Sequence, residues 1–129
     1  MTPDEVTLTL PGRRDFYRIA HLVLGGLAVR LELTYEQLED LQLGLASVLS
    51  EHEADVDLSV TLRVEEDAIR TVVGPFPAGR LHVAIEEASG DHLDLRRLLE
   101  TVCDQVAVEE RTDGDWIELT KRVRSVASR

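Results

Sequence analysis

Apolar side chains alternate with polar ones in some stretches of the chain and recur every three or four residues in others. The change of period marks the elements. Val6, Leu8 and Leu10 alternate with Thr7 and Thr9 up to Pro11-Gly12, the pattern of a half-buried strand. From Asp15 the positions Phe16, Ile19, Ala20, Val23, Leu24, Leu27 and Leu31 form a helical stripe, interrupted by Gly25-Gly26. Thr34 followed by Gln37 reads as a capping box opening a second helix through Leu38, Leu41, Leu45, Val48 and Leu49 to about His52. Val56, Leu58, Val60, Leu62 and Val64 then alternate strictly with polar residues and predict a strand with one wet face. Glu66-Asp67 turns into a strand over Ala68–Val73, closed by the loop Gly74–Gly79. Leu81, Val83 and Ile85 predict a further short strand. A third helix carries Leu95, Leu98, Leu99, Val102 and Val106, and Asp113-Gly114 is a hairpin turn between Val106–Arg111 and Trp116–Val123.

Strands that come as hairpins after paired helices predict an α+β fold. The expected form is a two-layer α/β sandwich, a mixed and mostly antiparallel sheet with about three helices on one face. No internal repeat, low-complexity stretch or linker interrupts the pattern. The 129 residues suit one domain, and 43% hydrophobic residues supply a core without disulfide or metal support. The net charge of −11 argues against nucleic acid or an anionic membrane as the main partner and points to a basic protein surface. No apolar run reaches the ~20 residues of a membrane span, and Met1–Glu5 lacks the basic and apolar parts of a signal peptide, so the expected compartment is the cytoplasm.

Candidate chemistry is sparse. His21, His52, His82 and His92 fall on different elements without metal-ligand spacing, and Cys103, the sole thiol, sits in an apolar helical pattern that predicts burial. No nucleophile elbow or Walker phosphate loop is present. Asp113 and Asp115 read as solvated turn residues, and Trp116 as a strand-packing side chain.

Several strings resemble the bacterial anti-sigma-factor serine kinases, which have the histidine-kinase-like ATPase fold. Thr7-Leu8-Thr9-Leu10-Pro11 is similar to the family's opening. Tyr35–Leu43 resembles the segment entering its magnesium-binding helix, Leu95–Val106 its last helix and Trp116–Val123 its final strand. The resemblance implies one such domain over residues 1–123, with 124–129 a short basic tail, and a homodimer through the N-terminal strand and helix. In the family the second helix carries a Glu that activates the attacking group and, four residues on, an Asn that holds magnesium, on one helix face. Those positions fall here on Ser47 and Glu51, or one turn later on Glu51 and Asp55. The adenine-reading Asp and the Gly-x-Gly turn reduce to Gly74 within Thr71–Phe76, or in another register to Glu86-Glu87-Ala88-Ser89-Gly90. The phosphate-cradling Gly-Leu-Gly-Leu is replaced by His92-Leu93-Asp94-Leu95.

Three elements of one ATP site are thus degraded together. The expectation is a non-catalytic regulatory protein-interaction domain with neither cofactor nor metal, Ser47, Glu51, Gly74, His92 and Asp94 being vestigial nucleotide-site positions. The alternative is an active anti-sigma-type serine kinase or ATP-binding switch with divergent motifs, using ATP and magnesium. The resemblance implies a sigma factor or an anti-sigma antagonist as partner. The interaction-face candidates are Arg13, Arg14, Arg18 and Arg30 on the first helix and Glu36, Glu39 and Asp40 on the second. Charge is distributed to match: 3 acids and 4 bases in residues 1–31, 11 and 1 in 32–67, and 11 and 9 in 68–129. Nearly all the excess lies in residues 32–67, the stretch that contains the second helix and the strand after it.

Overall fold

A computed structural model describes residues 4–51, 56–79, 81 and 95–123. The elements run β1 (Asp4–Leu10), α1 (Arg14–Arg30), α2 (Tyr35–Leu49), β2 (Leu58–Val64), β3 (Ala68–Phe76), α3 (Leu95–Val102), β4 (Gln105–Arg111) and β5 (Gly114–Arg122). The strands form one sheet in the order β1-β2-β3-β5-β4, with every described pairing antiparallel. This is the expected α+β sandwich, its sheet antiparallel throughout the described residues.

Register explains the two layers. Leu62 lies across from Thr71, Thr71 from Leu119, and Val73 from Ile117, so the alternating apolar positions of three strands reach the same face. Val60, Leu62, Ile69, Val73 and Ile117 are fully buried there in one core with Ala20 and Leu24 of α1, Leu45 and Val48 of α2 and Leu99 of α3. The other face is polar: Glu5, Thr7, Thr61, Arg63, Arg70 and Glu118 line it.

The helices differ in how they are fixed. Thr34 Oγ1 accepts the Gln37 N–H at 3.1 Å while Gln37 Oε1 accepts the Thr34 N–H at 2.9 Å, the full capping box. Helix α2 touches both other helices, and its Gly44 meets the end of α3: a Cβ there would lie 3.4 Å from Cys103 Sγ and from Val102. Lys121 on β5 donates to Asp40 at 3.0 Å, pinning α2 to the sheet from the side. Helix α1 lacks a side-chain cap, and a methyl group added at Gly25 or Gly26 would meet nothing within 4 Å. The pair therefore costs helix propensity, roughly 1 kcal/mol per glycine, without a close packing contact in return.

Four boundaries differ from expectation, the first being β2, which starts at Leu58 and leaves Val56 exposed. Strand β3 runs past Gly74 to Phe76, with a register shift between Val73 and Phe76 that absorbs the proline. Helix α3 ends at Val102 because Asp104 belongs to the sheet: its N–H bonds the Thr120 carbonyl at 2.8 Å and its carboxylate accepts the Arg122 N–H at 2.6 Å. Val106 consequently lies on β4. Of the strand expected over 81–85 only Leu81 lies within the described residues, and it is helical and fully buried.

Replacing the cap by Thr34→Ala is expected to cost about 1 kcal/mol in chemical denaturation. Leu45→Ala, at a site 1% exposed, is expected to cost about 2–5 kcal/mol.

Candidate functional site

The candidate positions divide between the helical layer and the sheet. Ser47 is half-buried on α2, and its hydroxyl donates to the Leu43 carbonyl at 2.8 Å, the local bond typical of a helix-interior serine. Glu51 lies beyond the helix end, where its N–H reaches only three residues back to the Val48 carbonyl at 3.0 Å. The i, i+4 spacing thus spans a terminating turn. His92, Asp94, Asp55 and residues 86–90 lie outside the described residues, so the described part of the candidate pocket consists of Ser47, Glu51 and Gly74.

Gly74 has a structural role that its sequence context does not announce. Trp116 from β5 packs over it, and a Cβ at Gly74 would come within 2.5 Å of the indole. Arg111 lies over the same ring, 4.5 Å from its centroid, and the indole N–H donates to Asp113 at 2.9 Å. Trp116 shares its face with Arg70, Val72 and Glu118, so the open side of Gly74 is filled on the polar face of the sheet. Ser47 and Glu51 belong to the opposite, helical layer.

A shallow groove of about 480 Å³ crosses that polar face between Arg63, Arg70, Arg111 and Trp116. Each arginine in it is already paired: Arg63 with Glu5 at 3.0 Å, Arg70 with Glu65 at 2.9 Å and Glu118 at 3.3 Å, and Arg111 with Glu109 at 3.2 Å. Hydrogen bonding to Glu65 and then Glu118 pushes the Arg70 guanidinium further above its ordinary range. The groove therefore offers balanced charge and no surplus of cations for phosphate among its described residues.

Asp115 corrects the reading of the hairpin as solvated. The residue is 2% exposed and its carboxylate accepts the Gly79 N–H at 2.9 Å, tying the segment after β3 to the start of β5. Asp113, beside it, stays exposed. Cys103 is buried as expected, and desolvation pushes its thiol up to about 11 despite the nearby Lys121 ammonium. His21, half-buried on α1, is lowered by desolvation, and His52 and His82 lie outside the described residues. Among the described residues no three His, Cys, Asp or Glu side chains converge as a metal site, and no helix is long and apolar enough to cross a membrane.

The outward side of the helical layer carries what sequence reasoning missed. Ile19, expected in the core stripe, is 40% exposed, and Leu22 and Val29 are 70% and 81% exposed. With Gly26 they fall within an arc of about 80° on α1, bordered by Arg18 on one side and Arg30 on the other. The 3-4-3 spacing of these residues was the available signal. It was hidden because the inward stripe, Ala20, Leu24 and Ala28, shares the same helical period. On α2 the exposed Tyr35 and Leu43 share a face with Glu36 and Glu39. Arg13, Arg18, Glu36 and Glu39 are exposed as expected, and Arg14 opens α1. Asp40 is half-buried in its ion pair with Lys121.

No protein-family model matches the chain. Over 77 residues it is 27% identical to the serine-protein kinase RsbW of Listeria innocua serovar 6a, covering 54% of this chain and 49% of that protein. The chain thus spans about half the length of the curated relative it matches, and over that part it is similar to a serine-protein kinase.

Two outcomes follow from this geometry. With its thiol at about 11, Cys103 at pH 8 is about one part in a thousand thiolate, so a disulfide reagent is expected to label it only on unfolding. Gly74→Val is expected to expel Trp116 from its seat, shifting the indole fluorescence to the red and costing about 1–3 kcal/mol of stability.

Proposed function

We propose that this chain is a cytoplasmic regulatory domain of the anti-sigma-factor type that acts by binding another protein and has lost its nucleotide site. The observation that carries the reading is the outward face of α1, where Ile19, Leu22 and Val29 stand exposed beside Arg18 and Arg30. Monomeric soluble proteins seldom leave a row of large apolar side chains in water, and such rows rimmed by charge mark protein contacts. The likeness to RsbW, named a serine-protein kinase, supports the choice of partner class: a sigma factor or an anti-sigma antagonist.

Three features favour binding over phosphoryl transfer. Ser47 stands at the general-base position and donates its hydroxyl to a helix carbonyl, and an alcohol oxygen is too weakly basic to take the proton of an attacking hydroxyl. Gly74, which the resemblance assigns to the nucleotide turn, lies within strand β3 with Trp116 packed over it on the sheet face away from Ser47 and Glu51, so these positions do not line one pocket. The sequence at His92-Leu93-Asp94-Leu95 adds an acid where phosphate-binding glycines would stand. The competing reading, an active kinase with divergent motifs, draws on the name of the same relative and requires Glu51 as the magnesium ligand.

Calorimetric titration with ATP and magnesium separates the two. No heat of binding up to millimolar nucleotide is expected, and a micromolar complex that Glu51→Gln abolishes would establish the kinase reading instead. In parallel, Leu22→Asp and Val29→Asp are expected to weaken binding of a purified sigma factor or antagonist by at least about tenfold while leaving the melting temperature within a few degrees.

A further inference from the structure

We propose that the outer edge of β4 is a second docking site, where an extended segment of a partner protein, β-branched at its centre and basic at both ends, adds a sixth strand to the sheet. Strand β4 closes one side of the sheet, and among the described residues nothing pairs with its outer side. A free edge presents a row of backbone N–H and C=O groups that a second chain can complete. Such edges are ordinarily blunted by proline, lysine, a bulge or a short length. Gln105–Arg111 has none of these: it is seven residues without proline or lysine, and it stays in register with β5 over all seven pairs. The site does not involve α1, so the inference stands apart from the functional reading given above.

The side chains along the edge say what fits it. Val106, Ala107 and Val108 form its middle, the two valines half-buried against the core. Where α3 gives way to β4 a groove of about 480 Å³ opens, lined by the buried Cys103, the half-buried Val106 and the exposed Glu100 and Asp104. Glu109 and Glu110 follow at the far end of the strand. Residues 100–111 thus hold four acids against one base, Arg111, which is spent on Glu109 at 3.2 Å and on the Trp116 ring. Arg96 reaches Glu100 at 3.4 Å from one turn back on α3, an exposed pair that holds weakly in water. An apolar centre with acids at both ends calls for the inverse in its occupant: β-branched residues beside Val106–Val108 and Lys or Arg at each end, about 20 Å apart.

Two other occupants fit less well. A second copy pairing edge to edge would set these acids against one another, which opposes association. The chain's own residues 124–129 include Arg124 and Arg129, but they follow Val123 at the end of β5, two strand spacings of about 4.8 Å from the outer side of β4. With about three of the six residues used in that crossing, the rest reach only half of a seven-residue edge.

Fluorescence anisotropy of a labelled, end-capped peptide Arg-Arg-Val-Thr-Val-Arg-Arg, titrated with the full chain at low salt, tests this. Saturable binding is expected. It should be at least about tenfold weaker for Arg-Arg-Pro-Pro-Val-Arg-Arg, whose adjacent prolines withhold a ladder donor whichever side faces β4, and absent for Glu-Glu-Val-Thr-Val-Glu-Glu. The variant carrying Glu100→Arg and Glu110→Arg, both exposed positions, is expected to lose about tenfold for the basic peptide, to gain the acid-ended one, and to melt close to the wild type. Leu22→Asp on α1 should bind the basic peptide as the wild type does, and hydrogen exchange should slow in β4 when the peptide is added. No binding of the basic peptide overturns the proposal, and equal binding of the proline peptide does so too, since charge alone would then explain the complex. Outward β4 amides already protected in the free chain, or a dimer in sedimentation that the peptide breaks, would seat this chain's own residues or a second copy on the edge and overturn the choice of occupant.

Discussion

Everything else in this structure depends on one sheet having one dry face. Strict alternation on β2, in register with β3 and through it with β5, brings Val60, Leu62, Val73, Ile117 and Leu119 to the same side, and an apolar surface of that extent has to be covered. Among the described residues, α1, α2 and α3 do so. Their inward stripes complete the core, and the positions they leave outward form the exposed surface of the helical side.

That division makes the two faces of the molecule chemically unlike. The open sheet face is settled: its arginines are paired, its tryptophan is seated on Gly74, and its groove carries balanced charge. The outward helical face is unsettled. Helix α1 keeps Leu22 and Val29 in water and tolerates two adjacent glycines, both unfavourable for an isolated domain. Helix α2 is better anchored, by its capping box and by Lys121, the one lysine of the chain, and displays glutamates without a cation beside them among the described residues. A surface that costs stability without serving the core is where a binding function is expected.

The sequence disclosed what is local. The alternation of β2, the capping box at Thr34 and Gln37, the hairpin at Asp113-Gly114 and the α+β architecture could all be read because each is decided by neighbours within a few residues. What depends on distant strands was hidden. Asp115 looks like a turn residue until Gly79 is brought beside it, Gly74 looks like a loop glycine until Trp116 lies over it, and Asp40 looks like a surface acid until Lys121 reaches it. Ile19 is misread for another reason: a helix apolar on two sides gives one continuous pattern, and the periodicity alone does not say which side meets the sheet. The candidate site is legible in the sequence only as departures from the motifs that the resemblance implies, and Ser47 and Gly74 acquire physical roles only through their contacts.

If the chain works through the outward face of its first two helices, that face is what a bound partner must protect. Hydrogen exchange of the chain alone and in complex with a sigma factor or antagonist tests this most directly, because it maps the contact without altering a residue. Slowed exchange is expected in α1 and the first turns of α2, with β4 and the polar face of the sheet unchanged. Protection centred on Trp116 and Arg111 and absent from α1 would contradict it.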